Sequence, residues 1–235
     1  MRKLPFENND SKHLAVLIDP DKIYENTLDL IAQSSVIDFI LVGGSLLHKE
    51  TLSSAIEKVK AKIDLPVFIF PGNHVQVDEK ADGIFLLSLI SGRNPDFLIG
   101  QHVIAAPSLK RSSLDIIPTG YILIDCGNST TASYISNTTP IPFDKPEIAA
   151  CTALAGSQLG MNHFYLDGGS GAKQPVNLET ITQVNSITDG FITVGGGIRT
   201  IESIKQAWNA GANMVVIGTA FEKDPSFVKE LELLR

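Results

Sequence analysis

Short runs of β-branched and other apolar residues recur along this chain, separated by longer stretches whose apolar residues follow helical spacing. This alternation favours a parallel sheet whose strands are connected by helices. The pattern predicts eight strands: Leu14–Ile18, Asp38–Val42, Pro66–Phe70, Gly83–Leu87, Gly120–Ile124, Phe164–Asp167, Phe191–Val194 and Met214–Ile217. Four helices between them are clear: Leu52–Ile63, Lys145–Leu159, Asn177–Val184 and Thr200–Ala210.

Eight strand–helix units predict a single-domain (β/α)8 TIM barrel of the α/β class over residues 1–235, a usual size for that fold. One interval breaks the pattern, because only Pro71–Asp82 separates the third strand from the fourth, about the minimum for a parallel crossover. His74–Asp78 in that interval suits an extended segment better than a packed helix. We therefore expect the third crossover helix to be missing or replaced. A long apolar ligand in the gap is one hypothesis, and a short irregular crossover without function is the other.

Composition narrows the class of partner. The chain is 43% hydrophobic and 19% charged with a formal net charge of −7, so it lacks the basic footprint of a nucleic-acid binder. No stretch stays apolar for the roughly 18 residues of a membrane helix, and the first ten residues lack a signal-peptide core. A cytoplasmic protein is expected.

The cysteines and histidines give no sign of a metal site. Cys126 and Cys151 lack CxxC spacing, and we interpret them as reduced packing residues. The five histidines show no metal-binding spacing.

Glycine-rich breaks close the last three predicted strands. They are Tyr165-Leu-Asp-Gly-Gly-Ser-Gly-Ala172, Gly195-Gly-Gly197 and Gly218-Thr219. Glycines at strand ends let backbone N–H groups approach an anion, and barrel phosphate sites commonly use the loops after strands seven and eight. The three breaks together predict a cradle for a phosphorylated small molecule. Plain turn geometry is the alternative explanation for any one of them.

The first two predicted strands end in oxygen ligands. Asp19 follows the first strand and Ser45 follows the second. A carboxylate and a hydroxyl at neighbouring strand ends suit Mg²⁺, which also binds substrate phosphates. Asp19 and Ser45 are therefore candidate metal ligands. The alternative for Asp19 is a helix N-cap, a role for which Asp21 is the better candidate.

In order and spacing, these motifs resemble the geranylgeranylglyceryl and heptaprenylglyceryl phosphate synthases over nearly the whole chain. Those enzymes join a polyprenyl diphosphate to sn-glycerol 1-phosphate. The segments that carry the resemblance are Leu17-Ile-Asp-Pro-Asp-Lys22, Val42-Gly-Gly-Ser45, Phe70-Pro-Gly72, Ala81-Asp-Gly83, Ser88 to Pro95, Gly120-Tyr-Ile122, Tyr165 to Ala172, Val194 to Arg199 and Gly211-Ala212.

The resemblance implies roles for particular residues. It implies that Asp19 and Ser45 hold Mg²⁺ for the diphosphate. The residues that it assigns to sn-glycerol 1-phosphate are Tyr165, Leu166, Asp167, Gly168, Gly169, Ser170, Gly171, Gly196, Gly197, Gly218 and Thr219. Two positions depart from the family pattern: Asp167 stands where members often carry glutamate, and Leu17 stands where some carry lysine.

The implied reaction is Mg²⁺-dependent transfer of a geranylgeranyl group from its diphosphate to the glycerol 3-hydroxyl. We expect Asp167 to accept the hydroxyl proton and Tyr165 to orient the acceptor. A longer, heptaprenyl donor is the alternative within the family. Phe97 or Leu98 is expected to limit the groove and to favour a C20 tail over a C35 tail, unless Phe97 is ordinary helix core.

Two other classes remain open from the residues alone. One is a sugar-phosphate isomerase or lyase, for which Asp19 and a partner near Asp125 would form the acid–base pair. The other is a catalytically silent phosphate-binding barrel. As for partners, we expect a homo-oligomer, a dimer or larger, and at most transient membrane contact for the lipid product.

Overall fold

Eight parallel strands close into a barrel in the order of the chain, with β1 paired to both β2 and β8. The structure is a computed structural model that describes residues 11–234. The strands are β1 (His13–Ile18), β2 (Phe39–Val42), β3 (Val67–Ile69), β4 (Gly83–Leu89), β5 (Asp115–Leu123), β6 (His163–Asp167), β7 (Phe191–Gly195) and β8 (Met214–Ile217). The expected eight-stranded barrel is thereby confirmed.

Helices surround the barrel. They are α1 (Glu25–Ala32), α2 (Leu52–Lys60), α3 (Gln101–Arg111), α4 (Thr131–Ile135), α5 (Pro146–Gln158), α6 (Leu178–Ile187), α7 (Ile201–Asn209), α8 (Thr219–Lys223) and α9 (Phe227–Leu231). A 3₁₀ turn at Pro20–Lys22 follows β1, a π-helical turn at Asp96–Gly100 leads into α3, and a 3₁₀ turn at Glu232–Leu234 follows α9. Side-chain caps explain why the sequence marks several boundaries well, since Asn177 and Thr200 accept backbone N–H groups at the starts of α6 and α7.

The third crossover has no helix, as its length predicts: between β3 and β4 the described chain forms turns and irregular backbone. Gln76 fixes this segment. Its side-chain oxygen accepts the N–H of Gly72 at 2.9 Å, and its side-chain nitrogen donates to the carbonyl of Gly44 at 3.1 Å. The barrel wall is therefore one layer thick beside β3 and β4.

Strand alternation divides the core into two layers. One layer fills the barrel and is aromatic, with Phe68, Phe85, Tyr121, Tyr165 and Phe191 all buried. Consecutive rings meet at centroid distances such as 5.9 Å for Phe68 and Phe85 and 5.8 Å for Tyr121 and Tyr165. The other, mainly aliphatic layer lies between the strands and the helices. Inside the barrel the buried polar residues include His163 with Thr119 and Thr193.

β5 is longer than the sequence predicts. It begins at Asp115 and pairs with β4 over seven residues, whereas the expected strand began at Gly120. Pro118 lies inside the strand and makes its first half hard to predict from sequence, because proline is normally confined to edges or bulges of sheets.

The prediction that no signal peptide opens the chain concerns the first ten residues, which lie outside the described ones. Across residues 11–234, no helix has the length and apolar character needed to cross a membrane.

Candidate active site

A polar pocket opens at the carboxyl ends of the strands. It is lined by most of the residues that the sequence singles out: Asp19, Ser45, Tyr165, Asp167, Gly169, Ser170, Gly171, Gly196, Gly197, Gly218 and Thr219. Parallel strands bring their carboxyl ends to one face of a barrel, so residues far apart in the chain meet there. The candidate metal ligands and the candidate phosphate loops thus face one open cavity.

An apolar groove runs from this pocket towards the thin part of the wall. Its walls are the crossover after β3, strand β4, the π-helical turn with α3, and α4, and its lining includes Phe70, Val77, Leu86, Phe97 and Leu109. The groove and the polar pocket share five lining residues: Gly44, Ser45, Phe70, Tyr121 and Ala132. A ligand with a charged head and a long apolar tail can therefore lie across both cavities.

Asp167 is a buried carboxylate with two donors. Tyr121 donates its hydroxyl to Oδ2 at 2.5 Å, and the backbone N–H of Gly169 donates to Oδ1 at 2.7 Å. Burial raises the pKa of Asp167 above its usual range, and these two hydrogen bonds oppose the rise. A carboxyl group with a raised pKa is a better proton acceptor than an exposed one, provided that the pH keeps it ionised.

Tyr165 lies beside Asp167 in the interior of the barrel. Its ring is 2% exposed and packs at 5.0 Å from Phe70. Burial, with the nearby Asp167 carboxylate, raises the pKa of Tyr165 well above the usual tyrosine range. The phenol therefore stays protonated, which suits the expected orienting role.

Asp19 and Ser45 both line the polar pocket, where the site would hold a cation. A methyl group added at Gly44 would lie 3.8 Å from Asp19 Oδ1, so the loop that carries Ser45 runs close to this carboxylate. In the part of the chain that the structure describes, no group of three or more His, Cys, Asp or Glu side chains forms a metal cage. One carboxylate and one hydroxyl fit Mg²⁺, which takes few protein ligands when substrate phosphates complete its shell.

The prediction that Asp21 is the better candidate than Asp19 for a helix N-cap is wrong. Asp19 itself caps the 3₁₀ turn, because its Oδ1 accepts the N–H of Asp21 at 3.0 Å. Asp21 instead holds the loop after β2, where it accepts three backbone N–H groups, from Glu50, Lys49 and His48; these lower its pKa to about 2. The other oxygen of Asp19, Oδ2, pairs with the Lys22 ammonium at 3.3 Å.

The candidate phosphate loops after β6 and β7 pack against each other through their backbones. Gly196 has a φ of +83°, and a Cβ there would lie 2.7 Å from the nitrogen of Gly169. Glycine is therefore required at Gly196 for loop packing, whatever binds in the pocket. Turn geometry and a phosphate cradle are compatible explanations at this position.

Arg199, in the loop after β7, is hydrogen-bonded to the end of the loop after β6. Its guanidinium donates to the carbonyl oxygens of Ala172 and Lys173, the latter at 3.1 Å. No carboxylate among residues 11–234 pairs with this side chain. Because Arg199 lines the polar pocket, its positive charge is available to an anion there.

Some expected residues lie elsewhere. The side chain of Leu166 packs in the layer between strands and helices, and neither Leu166 nor Gly168 lines the polar pocket. Leu98 does not line the groove, whereas Phe97 does. Asp125 lies outside the polar pocket, where its carboxylate accepts the N–H of Gly127 at 3.0 Å. Asp125 itself therefore does not face Asp19 across this pocket.

Tyr121 and Arg199 are site residues for which the sequence predicts no role, although both stand inside the motifs that carry the resemblance. The register of β5 against β6 is the feature that identifies Tyr121, because this register pairs Tyr121 directly with Tyr165. Leu17, one of the two positions expected to depart from the family pattern, lines the polar pocket beside Gly218. The cations that line this pocket in the described chain are Lys22 and Arg199.

Comparison with known proteins agrees with this geometry. A sequence profile of the PcrB family matches residues 7–233. The chain belongs to the PcrB family. This PcrB protein is 49% identical over 223 residues to geranylgeranylglyceryl phosphate synthase of Spirosoma linguale, covering 94% of the chain and 90% of the relative. It is 43% identical to the synthase of that name from Thermococcus gammatolerans, covering 91% of the chain and 86% of the relative.

A solved structure extends the likeness to the fold. The crystal structure of (S)-3-O-geranylgeranylglyceryl phosphate synthase from Thermoplasma acidophilum, in complex with its substrate sn-glycerol-1-phosphate, superposes with a TM-score of 0.86. The sequences are 33% identical, and the match covers 95% of the PcrB chain and 91% of that structure. The expected resemblance is confirmed, and so is the expectation of an enzyme of the prenyltransferase class rather than a silent barrel.

Proposed function

We propose that this chain is a Mg²⁺-dependent prenyltransferase that joins geranylgeranyl diphosphate to the 3-hydroxyl of sn-glycerol 1-phosphate. The products are geranylgeranylglyceryl phosphate and diphosphate. The observation that carries the proposal is the junction of the two cavities, where a polar pocket with phosphate loops meets an apolar groove at Ser45, Phe70 and Tyr121. An acceptor phosphate and a donor with a long apolar tail require this combination.

The acceptor side is supported by the loops after β6, β7 and β8. Gly171, Gly196 and Gly218 all line the polar pocket, and Arg199 adds a positive charge beside them. A phosphate at these loops would place the glycerol chain towards Asp167, which is on the same wall. The Thermoplasma acidophilum relative binds sn-glycerol-1-phosphate, which supports the same acceptor here.

The donor side is supported by the groove. Its lining is mainly aliphatic and aromatic, and each methylene that leaves water contributes about 0.8 kcal/mol to binding. Asp19 and Ser45 would hold Mg²⁺ where the diphosphate lies, at the junction. When bound there, the ion supplies charge neutralisation for the departing diphosphate oxygens.

The protein's own groups account for the rest of the reaction. The glycerol 3-hydroxyl oxygen forms a bond to the allylic carbon as the bond from that carbon to the diphosphate oxygen breaks, and the diphosphate leaves with the electron pair. Asp167 Oδ accepts the hydroxyl proton, and Tyr121 fixes the carboxylate that receives it. Tyr165, protonated and buried, orients the acceptor.

A heptaprenyl donor is the alternative within the family, and the length of the groove decides between the two. An isomerase or lyase has less support, because Asp125 lies outside the polar pocket. A homo-oligomer, a cytoplasmic location and transient membrane contact for the lipid product stay predictions.

The deciding experiment is incubation of the purified protein with sn-glycerol 1-phosphate, Mg²⁺ and a ladder of polyprenyl diphosphates. The proposal expects one ether product, greatest with the C20 donor and lost when EDTA removes the metal. A product only with the C35 donor would favour the heptaprenyl alternative. Absence of any prenyl product with a folded, acceptor-binding protein would overturn the proposal.

A further inference from the structure

The short helix α4 touches both cavities. Thr131 and Ala132 line the polar pocket, while Ala132, Ile135 and the capping residue Ser136 line the groove. α4 lies in the connection between β5 and α5, so it is additional to α5, which forms the crossover from β5 to β6. A change in its position would alter both cavities together.

One end of α4 is tied to the phosphate loop. Asn128, three residues before the helix, donates its side-chain N–H to the carbonyl of Gly171 at 2.7 Å. Thr130 caps the helix by accepting the N–H of Ser133 at 3.2 Å, and its methyl group fills the space beside Gly169. A Cβ at Gly169 would lie 2.4 Å from that methyl carbon.

The other end of α4 is tied to the groove wall. The carbonyl of Ser136 accepts the side-chain N–H of Asn94 at 2.7 Å. Asn94 also holds the start of the π-helical turn, because its Oδ1 accepts the N–H of Asp96 at 3.1 Å. Phe97, which lines the groove, is the next residue in that turn.

We infer that α4 and its two tethers couple the binding of the two substrates, and that Asn128 is the positioning residue through which the acceptor site acts on the groove. This inference rests on the proposed function. Residues 168–171 are three glycines and a serine, a segment that loses much conformational freedom when a ligand fixes it. When a ligand fixes Gly171, it also fixes the carbonyl group to which Asn128 donates, and hence the start of α4. The prenyl diphosphate then binds to a groove whose wall is already ordered.

Coupling of this kind is reciprocal. If acceptor binding tightens donor binding by some factor, donor binding must tighten acceptor binding by the same factor. We expect a factor of at least about fivefold, the lower end for coupled sites. A purely structural role for Asn128 would weaken folding or one ligand without changing this factor.

The experiment measures the dissociation constant of sn-glycerol 1-phosphate by calorimetry, with and without the unreactive thiolodiphosphate analogue of geranylgeranyl diphosphate, and then the reverse titration. In the wild type both ratios should agree at fivefold or more. Asn128→Ala, and the near-isosteric Asn128→Asp that loses the donor, should bring both ratios close to one. Asn162→Ala, at an exposed asparagine outside both cavities, is the matched control and should keep the wild-type ratio.

Thr130→Ser gives a second readout, because it keeps the cap and removes only the methyl group beside Gly169. It should lower the ratio without lowering the melting temperature by more than the control does. A wild-type ratio of one, or an unchanged ratio in Asn128→Ala, would overturn the inference while leaving the proposed function standing. Failure of the folded wild type to bind either ligand would instead contradict the proposed function.

Discussion

Tyr121 donates its hydroxyl to Asp167 Oδ2 at 2.5 Å, and both side chains are buried, Tyr121 where the apolar groove meets the polar pocket and Asp167 on the wall of the polar pocket. Burial raises the pKa of both groups, that of Tyr121 well above the usual tyrosine range. The phenol is therefore a permanent donor and Asp167 is the group that titrates. This hydrogen bond is one of the two that hold the carboxylate in its ionised form.

Tyr121→Phe should reduce prenyl transfer and shift its pH dependence. A hydrogen bond to a charged group contributes about 1.5–3 kcal/mol, so we expect kcat/KM to fall by roughly tenfold to a hundredfold near neutral pH. Loss of the donor raises the pKa of Asp167 further, and because the ionised carboxylate is the base, the rise of activity with pH should move to higher pH. The measurement is kcat/KM against pH with the C20 donor.

Tyr134→Phe is the control for that experiment, because Tyr134 is 82% exposed on α4 and its hydroxyl lies in solvent. Asp167→Asn should remove the same limb of the pH profile and lower transfer by the roughly 10²–10⁴-fold typical of general-base loss. If Asp167→Asn kept near-normal turnover at every pH, the proton would go to water or to the diphosphate. The hydrogen bond from Tyr121 would then have no role in proton transfer.

Asp19→Asn should abolish prenyl transfer while sn-glycerol 1-phosphate still binds. The amide keeps the shape of the side chain and an oxygen that can cap the turn at Asp21, but it loses the negative charge that suits Mg²⁺. Asp125→Asn, a carboxylate after β5 that lies outside the polar pocket, should behave as wild type. Retained turnover of Asp19→Asn at the wild-type Mg²⁺ requirement would remove Asp19 from the metal site.

Gly171→Ala should weaken sn-glycerol 1-phosphate binding more than its matched control, Gly160→Ala. Both glycines have positive φ, +76° and +93°, and a Cβ at either would meet nothing within 4 Å. Each alanine therefore costs about 1–2 kcal/mol of backbone strain without a clash, but only the one at Gly171 adds a methyl group to the polar pocket. Calorimetric affinities and melting temperatures separate the two effects. Equal affinities in the two variants would place the phosphate away from this loop.

Much of this site follows from sequence periodicity, because Tyr165 and Asp167 are two residues apart on a strand and must share a face. The glycine breaks after β6, β7 and β8 likewise lie at the carboxyl ends of the strands, where the loops of a barrel form its active-site face. Tyr121 is different, since its partnership with Asp167 depends on the register of β5 against β6, and Pro118 disguises where β5 begins. The carbonyl contacts of Arg199 depend on loop conformation, which no periodicity encodes.

His163 should make the fold sensitive to acid. It lies fully inside the barrel between the hydroxyls of Thr119 and Thr193, at 3.1 and 2.7 Å, and burial lowers its pKa to about 3. An unfolded histidine takes up a proton below about pH 6.5 while the folded one stays neutral, so stability is lost as the pH falls from 6.5 towards 3. Between pH 6.5 and 4.5 this loss is about 2–3 kcal/mol.

The free energy of unfolding in urea at those two pH values measures the effect. Other groups titrate in the same range, so the informative quantity is the difference between the wild type and His163→Gln, which lacks the ionisable ring. The variant should be less stable at pH 6.5 and should lose about 2–3 kcal/mol less on acidification. An equal loss in both proteins would show that His163 does not carry the acid sensitivity.

Phe97→Ala should lengthen the accepted prenyl chain. Phe97 lines the groove and packs against the aromatic interior of the barrel, whereas its neighbour Leu98 does not line the groove. If Phe97 is the stop, its removal lets additional carbons enter an apolar space, each buried methylene contributing about 0.8 kcal/mol, and the ratio of kcat/KM for the C35 donor over the C20 donor should rise severalfold. Leu98→Ala is the matched control and should leave that ratio unchanged. A loss of stability in Phe97→Ala with the wild-type donor preference would make Phe97 a packing residue only, and a shift seen in Leu98→Ala alone would move the stop to its neighbour.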